Sequence, residues 1–402
     1  MKQAKEIGID SFNYNLPDDK IARYPLSQRD KSKLLIYNKG NIFTDSFNNV
    51  GKHLLKNSLL CYNNTKVVYA RLFFKKQSGA NIEVFCLEPV NPKSYDLIFS
   101  SSKTCEWKCI VGNLKKWKGK VLSKEILINN RTITLTAELI SRMEQDVFIR
   151  FFWNSNDTFG DILEYNGNIP IPPYLKRNSE QIDKQRYQTL FADIKGSVAA
   201  PTAGLHFTEN VFESLKNKDI SIAPVTLHVS AGTFKPVKAD TIGKHIMHNE
   251  HFSISKNALY MIKNNYGKIT ATGTTTMRTL ESLYYIANRI YNKDFNFHIK
   301  QWEAYEKKID IPAIEALNII LEYIDKENLQ MINASTEIII VPGFKFKFVN
   351  RLITNFHQPQ STLLLLVAAF IGQDWKQVYD YALHNDYRFL SYGDSSLLIP
   401  KQ

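Results

Sequence analysis

The side chains suited to proton transfer are His206, His228, His248 and Glu250, each in a short polar stretch between apolar runs. General acid–base catalysis calls for groups that exchange protons near the operating pH, and histidine is the first choice. His206 lies two residues before the end of an uncharged, small-residue stretch, "GSVAAPTAGLHFT" (Gly196–Thr208), whose backbone N–H groups a ligand could approach closely. Thr208 suits an N-cap, Phe207 and Phe212 have hydrophobic-staple spacing, and a helix start favours negative charge. A tight packed loop with a satisfied histidine fits the same residues. In "VTLHVSAGTFKPV" (Val225–Val237), alternation puts His228 on the face opposite Leu227 and Val229, as a partnered sheet histidine or a site residue. In "KHIMHNEHF", His245, His248 and His251 step by three and would share a face on a helix. HExxH is missing and Met247 argues for packing, so no metal is expected; His248 and Glu250 could instead pair as acid and base.

Two further junctions offer binding chemistry. In "ATGTTTMRTLES" (Ala271–Ser282) a strand ends at Gly273, hydroxyls follow, and a helix begins with Arg278 and Glu281 near its start. Thr274 and Thr275 with free helix N–H groups could hold a carboxylate or phosphate; a merely well-capped helix fits equally. In "RLITNFHQPQSTLLLLVAAF" a loop carrying Asn355, His357 and Gln358 precedes a helix apolar all round, which must be buried and holds the loop rigidly. Neither GxGxxG after a strand nor GxxxxGK[ST] occurs, so no dinucleotide fold or P-loop is indicated.

The elements that must position these groups fall into two kinds. From 67 to 153, short β-rich segments ("VVYARLFF", "NIEVFCL", "DLIFSS", "WKCIVG", "EILINN", "RTITLTAEL", "VFIRFFW") recur between Gly, Asn and Lys, the spacing of an antiparallel barrel or sandwich. Outside it strands and helices alternate. "IAPVTLHV", "KITATGT" and "STEIIIVPG" read as strands, and "FTENVFESLKNK", "TMRTLESLYYIANRI" and "STLLLLVAAFIG" as helices. The expectation is an α/β main domain with a largely parallel sheet, residues 1–66 and 154–402, carrying an inserted antiparallel β-barrel domain at 67–153. A helical insert is expected at about 295–327, with Pro312 in its first turn and Ile314, Leu317, Leu321 and Ile324 at helical spacing.

Lys and Arg total 51 against 39 Asp and Glu, a net charge of +12 that fits a polyanionic partner. Cys61, Cys86, Cys105 and Cys109 lack metal or disulfide spacing and read as reduced thiols of a cytoplasmic protein. The longest apolar run, Leu363–Ile371, falls short of the ~20 residues a membrane span needs.

Taken in order, these segments resemble the S-adenosylmethionine:tRNA ribosyltransferase-isomerase family of queuosine biosynthesis. The resemblance rests on "LPDDKIARYPLSQRDKSKLL", "NNTKVVYARL", "IPIPPYLKR…DKQRYQTLFA", "GSVAAPTAGLHFT", "VTLHVSAGTFKPV", "HIMHNEHF", "GTTTMRTLES", "LITNFHQPQSTLLLLVAAF" and "YRFLSYGD". It implies a transferase that moves the ribosyl part of S-adenosylmethionine onto 7-aminomethyl-7-deazaguanine at the tRNA wobble position. Epoxyqueuosine forms in the tRNA, and adenine and methionine leave. S-adenosylmethionine is then a consumed substrate, with no cofactor and no metal, and a monomer is expected. The chemistry needs a base for an acidic hydrogen beside the sulfonium, a neutral amine nucleophile, and a proton or hydrogen bonds for departing adenine. His206, His228, His248 and Glu250 are the expected acid–base groups. Gly204, Gly273, Thr274, Thr275 and Arg278, with Asn355 and His357, are expected around S-adenosylmethionine and the base. Arg29, Lys33, Lys66 and Arg71 are expected on tRNA phosphates. Ser230 stands where the family usually has Gly, and His251 where an aromatic is more usual. The alternative is a paralogue that binds tRNA without turnover or takes a shifted nucleoside.

Overall fold

Residues of alternating polarity build the first sheet. Along Asp146–Trp153 every second side chain is buried, as a half-solvated antiparallel strand requires. Its six strands run in the order Arg71–Lys75, Asn81–Asn91, Thr104–Gly112, Asp146–Trp153, Arg131–Met143, Val121–Ile128, antiparallel throughout. The two outer strands return against each other, which nearly closes the sheet into a barrel around Phe74, Trp107, Ile149 and Phe151. The structure, a computed structural model, describes residues 2–76, 78–143, 146–230, 237, 239–306 and 310–401.

One barrel segment departs from expectation. "DLIFSS" lies in a short helix, Tyr95–Phe99, that tucks Ile98 and Phe99 against the barrel core. A short apolar run has no periodicity to separate strand from helix.

The second sheet has ten strands in the order His298–Ile299, Met331–Thr336, Glu250–Ser255, Ser221–Leu227, Leu59–Asn63, Ile269–Thr272, Arg351–Asn355, Ser395–Ile399, Lys33–Asn38, Asn41–Ser46. It is mixed rather than largely parallel. The middle strands, from Ser221–Leu227 to Arg351–Asn355, are parallel neighbours. Antiparallel pairs appear where Glu250–Ser255 joins Ser221–Leu227 and Met331–Thr336, and where Arg351–Asn355 meets Ser395–Ile399. The strand expected at Ser335–Gly343 pairs earlier, over Met331–Thr336; Ile338–Val341 run on as buried chain outside any strand.

Helices cover this sheet. Thr274–Tyr291 is buried from Thr274 to Asn288, and its Glu281 carboxylate accepts from the N–H groups of Lys347, Phe348 and Val349. The expected helical piece is Ala313–Lys326, which packs on the Thr274–Tyr291 helix. Pro312 is its N-cap rather than a first-turn residue, and the buried face is Ala316, Leu317, Ile320, Leu321 and Ile324, with Ile314 exposed. All four cysteines are buried and unbridged. Among the described residues no helix is long and apolar enough to cross a membrane.

Candidate active site

Parallel strands deliver two of the polar junctions side by side. Thr272 pairs with Ile353, and the N–H of Gly273 donates to the Ile353 carbonyl at 2.8 Å. Both strands therefore end at one edge, where open α/β sheets bind ligands. Gly273, Thr274 and Thr275 line a cleft there with Thr354, Asn355, His357 and Gln358. Ala199–Ala203, Val229, Ser361, Tyr174 and Ser391 complete its walls. Gly273 sits at φ +89°, a backbone shape that other residues rarely adopt, and is the N-cap of the helix without any side-chain cap. The first N–H groups of an 18-residue helix are thus left to the cleft.

Two buried polar atoms of the cleft lining lack a protein partner among the described residues, Asn355 Oδ1 and Thr275 Oγ1. Buried polar atoms normally find partners, so a cluster of orphans marks where ligand atoms belong. Asn355 is oriented by its own amide nitrogen, which donates to the Leu390 carbonyl at 3.1 Å and approaches His206 Nε2 at 3.3 Å. Its oxygen is left as a fixed acceptor. The following loop is clamped: the His357 N–H donates to the Tyr379 hydroxyl at 3.0 Å, and the Tyr14 hydroxyl donates to the His357 carbonyl.

The structure separates the expected acid–base groups. His206 stands behind the cleft wall, ending a 3-10 turn, Thr202–His206. Its Nδ1 shares a 2.8 Å hydrogen bond with Ser32 Oγ, and burial lowers its pKa to about 4. With Nε2 accepting from Asn355, the neutral ring carries its hydrogen on Nδ1. Thr208 caps the next helix by accepting from the Val211 N–H, and Phe207 meets Phe212 at 5.5 Å, as expected. His228 turns away into a second cleft, of about 710 Å³, beside Tyr95, His251 and His298. Burial lowers its pKa also to about 4. His245 ends a 3-10 turn, His248 lies in irregular chain before the strand Glu250–Ser255, and His251 sits in that strand, so the three share no helical face. Glu250 and Arg278 form a buried ion pair, and Glu250 Oε1 accepts from the Ser230 N–H at 3.2 Å. "GTFKP", residues 232–236, lies outside the described residues.

Of the histidines, His357 lines the cleft itself. Its Nε2 shares a 2.9 Å hydrogen bond with Thr354 Oγ1, and burial lowers its pKa to about 3. His206 and His357 therefore stay neutral in the fold while an unfolded histidine protonates near 6.5. Between the two values the unfolded chain binds more protons, so stability falls as pH drops from about 6.5 toward 4. Each ring is expected to contribute a slope of about 1.4 kcal/mol per pH unit, checked by urea unfolding across that range.

Gly204 does not line the cleft. A Cβ there would fall 2.7 Å from Phe191 Cζ and 2.8 Å from Thr189 Cγ2, so it permits close packing beneath the turn. The four expected phosphate contacts are dispersed. Arg29 borders a small pocket behind His206, and Lys33 Nζ donates to the carbonyls of Asn385 and Asp386. Lys66 lines a separate groove with Lys195, and Arg71 pairs with Glu83 at 3.3 Å. Sequence reasoning missed Tyr174 and Ser391 as cleft residues; their hydroxyls are joined at 2.5 Å. Their only signal was membership in the segments "IPIPPYLKR" and "YRFLSYGD".

A mixed α/β sheet whose strand ends bring an open helix start and a fixed amide acceptor to one cleft places the chain among α/β proteins with a candidate ligand site at the strand ends. Residues 9–398 match the family model described as queuosine biosynthesis protein, and the chain belongs to that family. Among similar proteins is the S-adenosylmethionine:tRNA ribosyltransferase-isomerase of Sulfurihydrogenibium, 36% identical over 97% of this chain and 99% of that one. The protein of the same name from Trichlorobacter lovleyi is 35% identical, with the same shares of each chain. That from Chlorobaculum parvum is 32% identical, again over 97% and 99%. A crystal structure of S-adenosylmethionine tRNA ribosyltransferase from Thermotoga maritima is 26% identical over 96% of this chain and 99% of that chain, with a TM-score of 0.45.

Proposed function

We propose that this chain is a transferase that moves and isomerises the ribosyl part of S-adenosylmethionine onto 7-aminomethyl-7-deazaguanine at the tRNA wobble position. Epoxyqueuosine in tRNA, adenine and methionine are the products. Near full-length similarity to relatives named for S-adenosylmethionine:tRNA ribosyl transfer and isomerisation supports the reading. The observation that carries it in the structure is the pairing, in one cleft, of an uncapped helix start with orphaned Thr275 Oγ1 and Asn355 Oδ1.

In this reading the methionine carboxylate sits on the N–H groups of Thr274 and Thr275, with the Thr275 hydroxyl donating to it. Asn355 Oδ1 accepts from an amino group of a base. His206 acts through Asn355 as a positioning residue, because its ring nitrogens face Ser32 and Asn355. Glu250 and Arg278 brace the wall at Ser230 rather than meeting the sulfonium or the carboxylate. His357 is the neutral imidazole at the reacting face. The cleft as it stands holds about 70 Å³. Small-molecule sites hold roughly 300–1,000 Å³, so substrate entry must part its walls. The barrel, 67–153, is proposed as a domain inserted between 1–66 and 154–402, with the Phe159–Asn166 helix packing on the barrel core. S-adenosylmethionine is consumed rather than kept as a cofactor, and the protein works as a cytoplasmic monomer.

The carboxylate seat is tested by Thr275→Val, which keeps the shape and removes the hydroxyl. KM for S-adenosylmethionine is expected to rise about tenfold, one charge-assisted hydrogen bond's worth. An unchanged KM places the carboxylate elsewhere.

A further inference from the structure

Behind His206 lies a notch bordered by Arg29, Arg186 and Arg388, with Ser32, Ser391 and Tyr392 beside them and no carboxylate in its lining. Arg388 has a counter-charge, Asp394, at 3.2 Å. Arg29 and Arg186 pair with no carboxylate among the described residues. They spend donors on backbone carbonyls instead: Arg29 on Gln188 at 3.1 Å, Arg186 on Ser27 at 3.0 Å and on Leu26. Those contacts fix both guanidinium groups in place. Burial first, and then the neighbouring Arg186 charge, push the Arg29 pKa down. Fixed, convergent guanidinium groups are the usual protein answer to phosphate oxygens.

The notch shares a wall with the cleft. Ser391 borders both, and His206 borders the notch while meeting Asn355 on the cleft side. Its volume, about 20 Å³, admits the outer oxygens of one phosphate and not a nucleotide. From this juxtaposition we infer that Arg29, Arg186 and Arg388 seat a single RNA backbone phosphate, that of a linkage flanking the nucleotide whose base enters the cleft. The inference rests on the proposal that tRNA is the substrate. It adds Arg186 and Arg388 to the expected contacts and sets Arg29 apart from Lys66 and Arg71, which lie at the barrel.

The test is equilibrium binding of an anticodon stem-loop RNA by the full-length protein, with one methylphosphonate placed 5′ or 3′ of the wobble nucleotide. Wild-type protein is expected to lose about tenfold in affinity for one of the two neutral linkages. Arg186→Gln is expected to bind the native RNA about tenfold more weakly, with a salt slope smaller by about 0.7, and to be indifferent to that neutral linkage. Arg186→Lys, which keeps the charge, falls between. Equal wild-type affinity for all three RNAs, or an undiminished linkage effect in Arg186→Gln, overturns the inference. Thermal protection of wild-type protein by inorganic phosphate without any linkage effect assigns a free anion and overturns it too. Failure of the wild type to bind native stem-loop removes the tRNA reading itself, and the phosphate seat with it.

Discussion

Arg278→Ala is expected to cost about 3–5 kcal/mol of stability, because it strands the Glu250 carboxylate in the interior. The two side chains are 9% and 2% exposed, and Arg278 Nε also donates to the Ile338 carbonyl at 3.2 Å. Water cannot replace the lost partner at that depth. The damage reaches the cleft, since Glu250 also holds the Ser230 N–H and Val229 is part of the cleft wall. Arg278→Lys keeps the charge without the planar fork and should lose less. The double variant Arg278→Met with Glu250→Leu should recover much of the stability, as apolar replacements of buried pairs often do, while activity stays low. Urea unfolding and adenine release, measured side by side, separate the two effects. A single Arg278→Ala variant as stable as wild type would show that the pair is not buried as described.

Asn355→Leu is expected to lower kcat/KM by about 10²–10³, the range for removing one preorganised hydrogen-bonding group at a reacting centre. The side chain keeps its bulk but loses the fixed acceptor. It also strands the Leu390 carbonyl and His206 Nε2, costing about 1–3 kcal/mol of stability. Asn355→Asp retains an acceptor but cannot donate to either partner, so it should misplace the oxygen rather than remove it. His206→Asn should lose less than Asn355→Leu, because His206 acts one residue removed. Equal losses in the two variants would give His206 a direct part in the reaction.

Strand ends were the most legible part of the site. "ATGTTT" and "TNFHQPQ" each carry a strand end followed by polar residues and a helix, and both arrive at the cleft. Their partnership comes from the parallel pairing of Thr272 with Ile353, which local pattern does not encode. Short β-rich segments at regular spacing marked the barrel strands from Arg71 onward, but ran Val67 into the first of them and misassigned Asp96–Ser101, part of a five-residue helix with too little periodicity to register. The His245, His248, His251 spacing suggested a helical face because three is a helical step. The three lie at a turn end, in irregular chain and in a strand, and the spacing has no geometric meaning. Glu250 looked like a free acid–base group because its partner, Arg278, is distant in sequence and its ion pair is a product of packing. His206 and His357 were visible as histidines, but their burial, which keeps them neutral, was not. The antiparallel pair of Glu250–Ser255 with Met331–Thr336 joins strands distant in the chain, so no hairpin turn announces that the sheet is mixed.

The central claim is that this chain transfers the ribosyl group of S-adenosylmethionine to a modified tRNA. The direct measurement incubates the full-length protein with S-adenosylmethionine carrying isotope in its ribosyl carbons and tRNA bearing 7-aminomethyl-7-deazaguanine. The tRNA is then digested and its nucleosides weighed by mass spectrometry, with free adenine quantified alongside. The account predicts one adenine released per labelled epoxyqueuosine formed. Tight tRNA binding without adenine release, or a methylated nucleoside in place of a labelled ribosyl product, would contradict it.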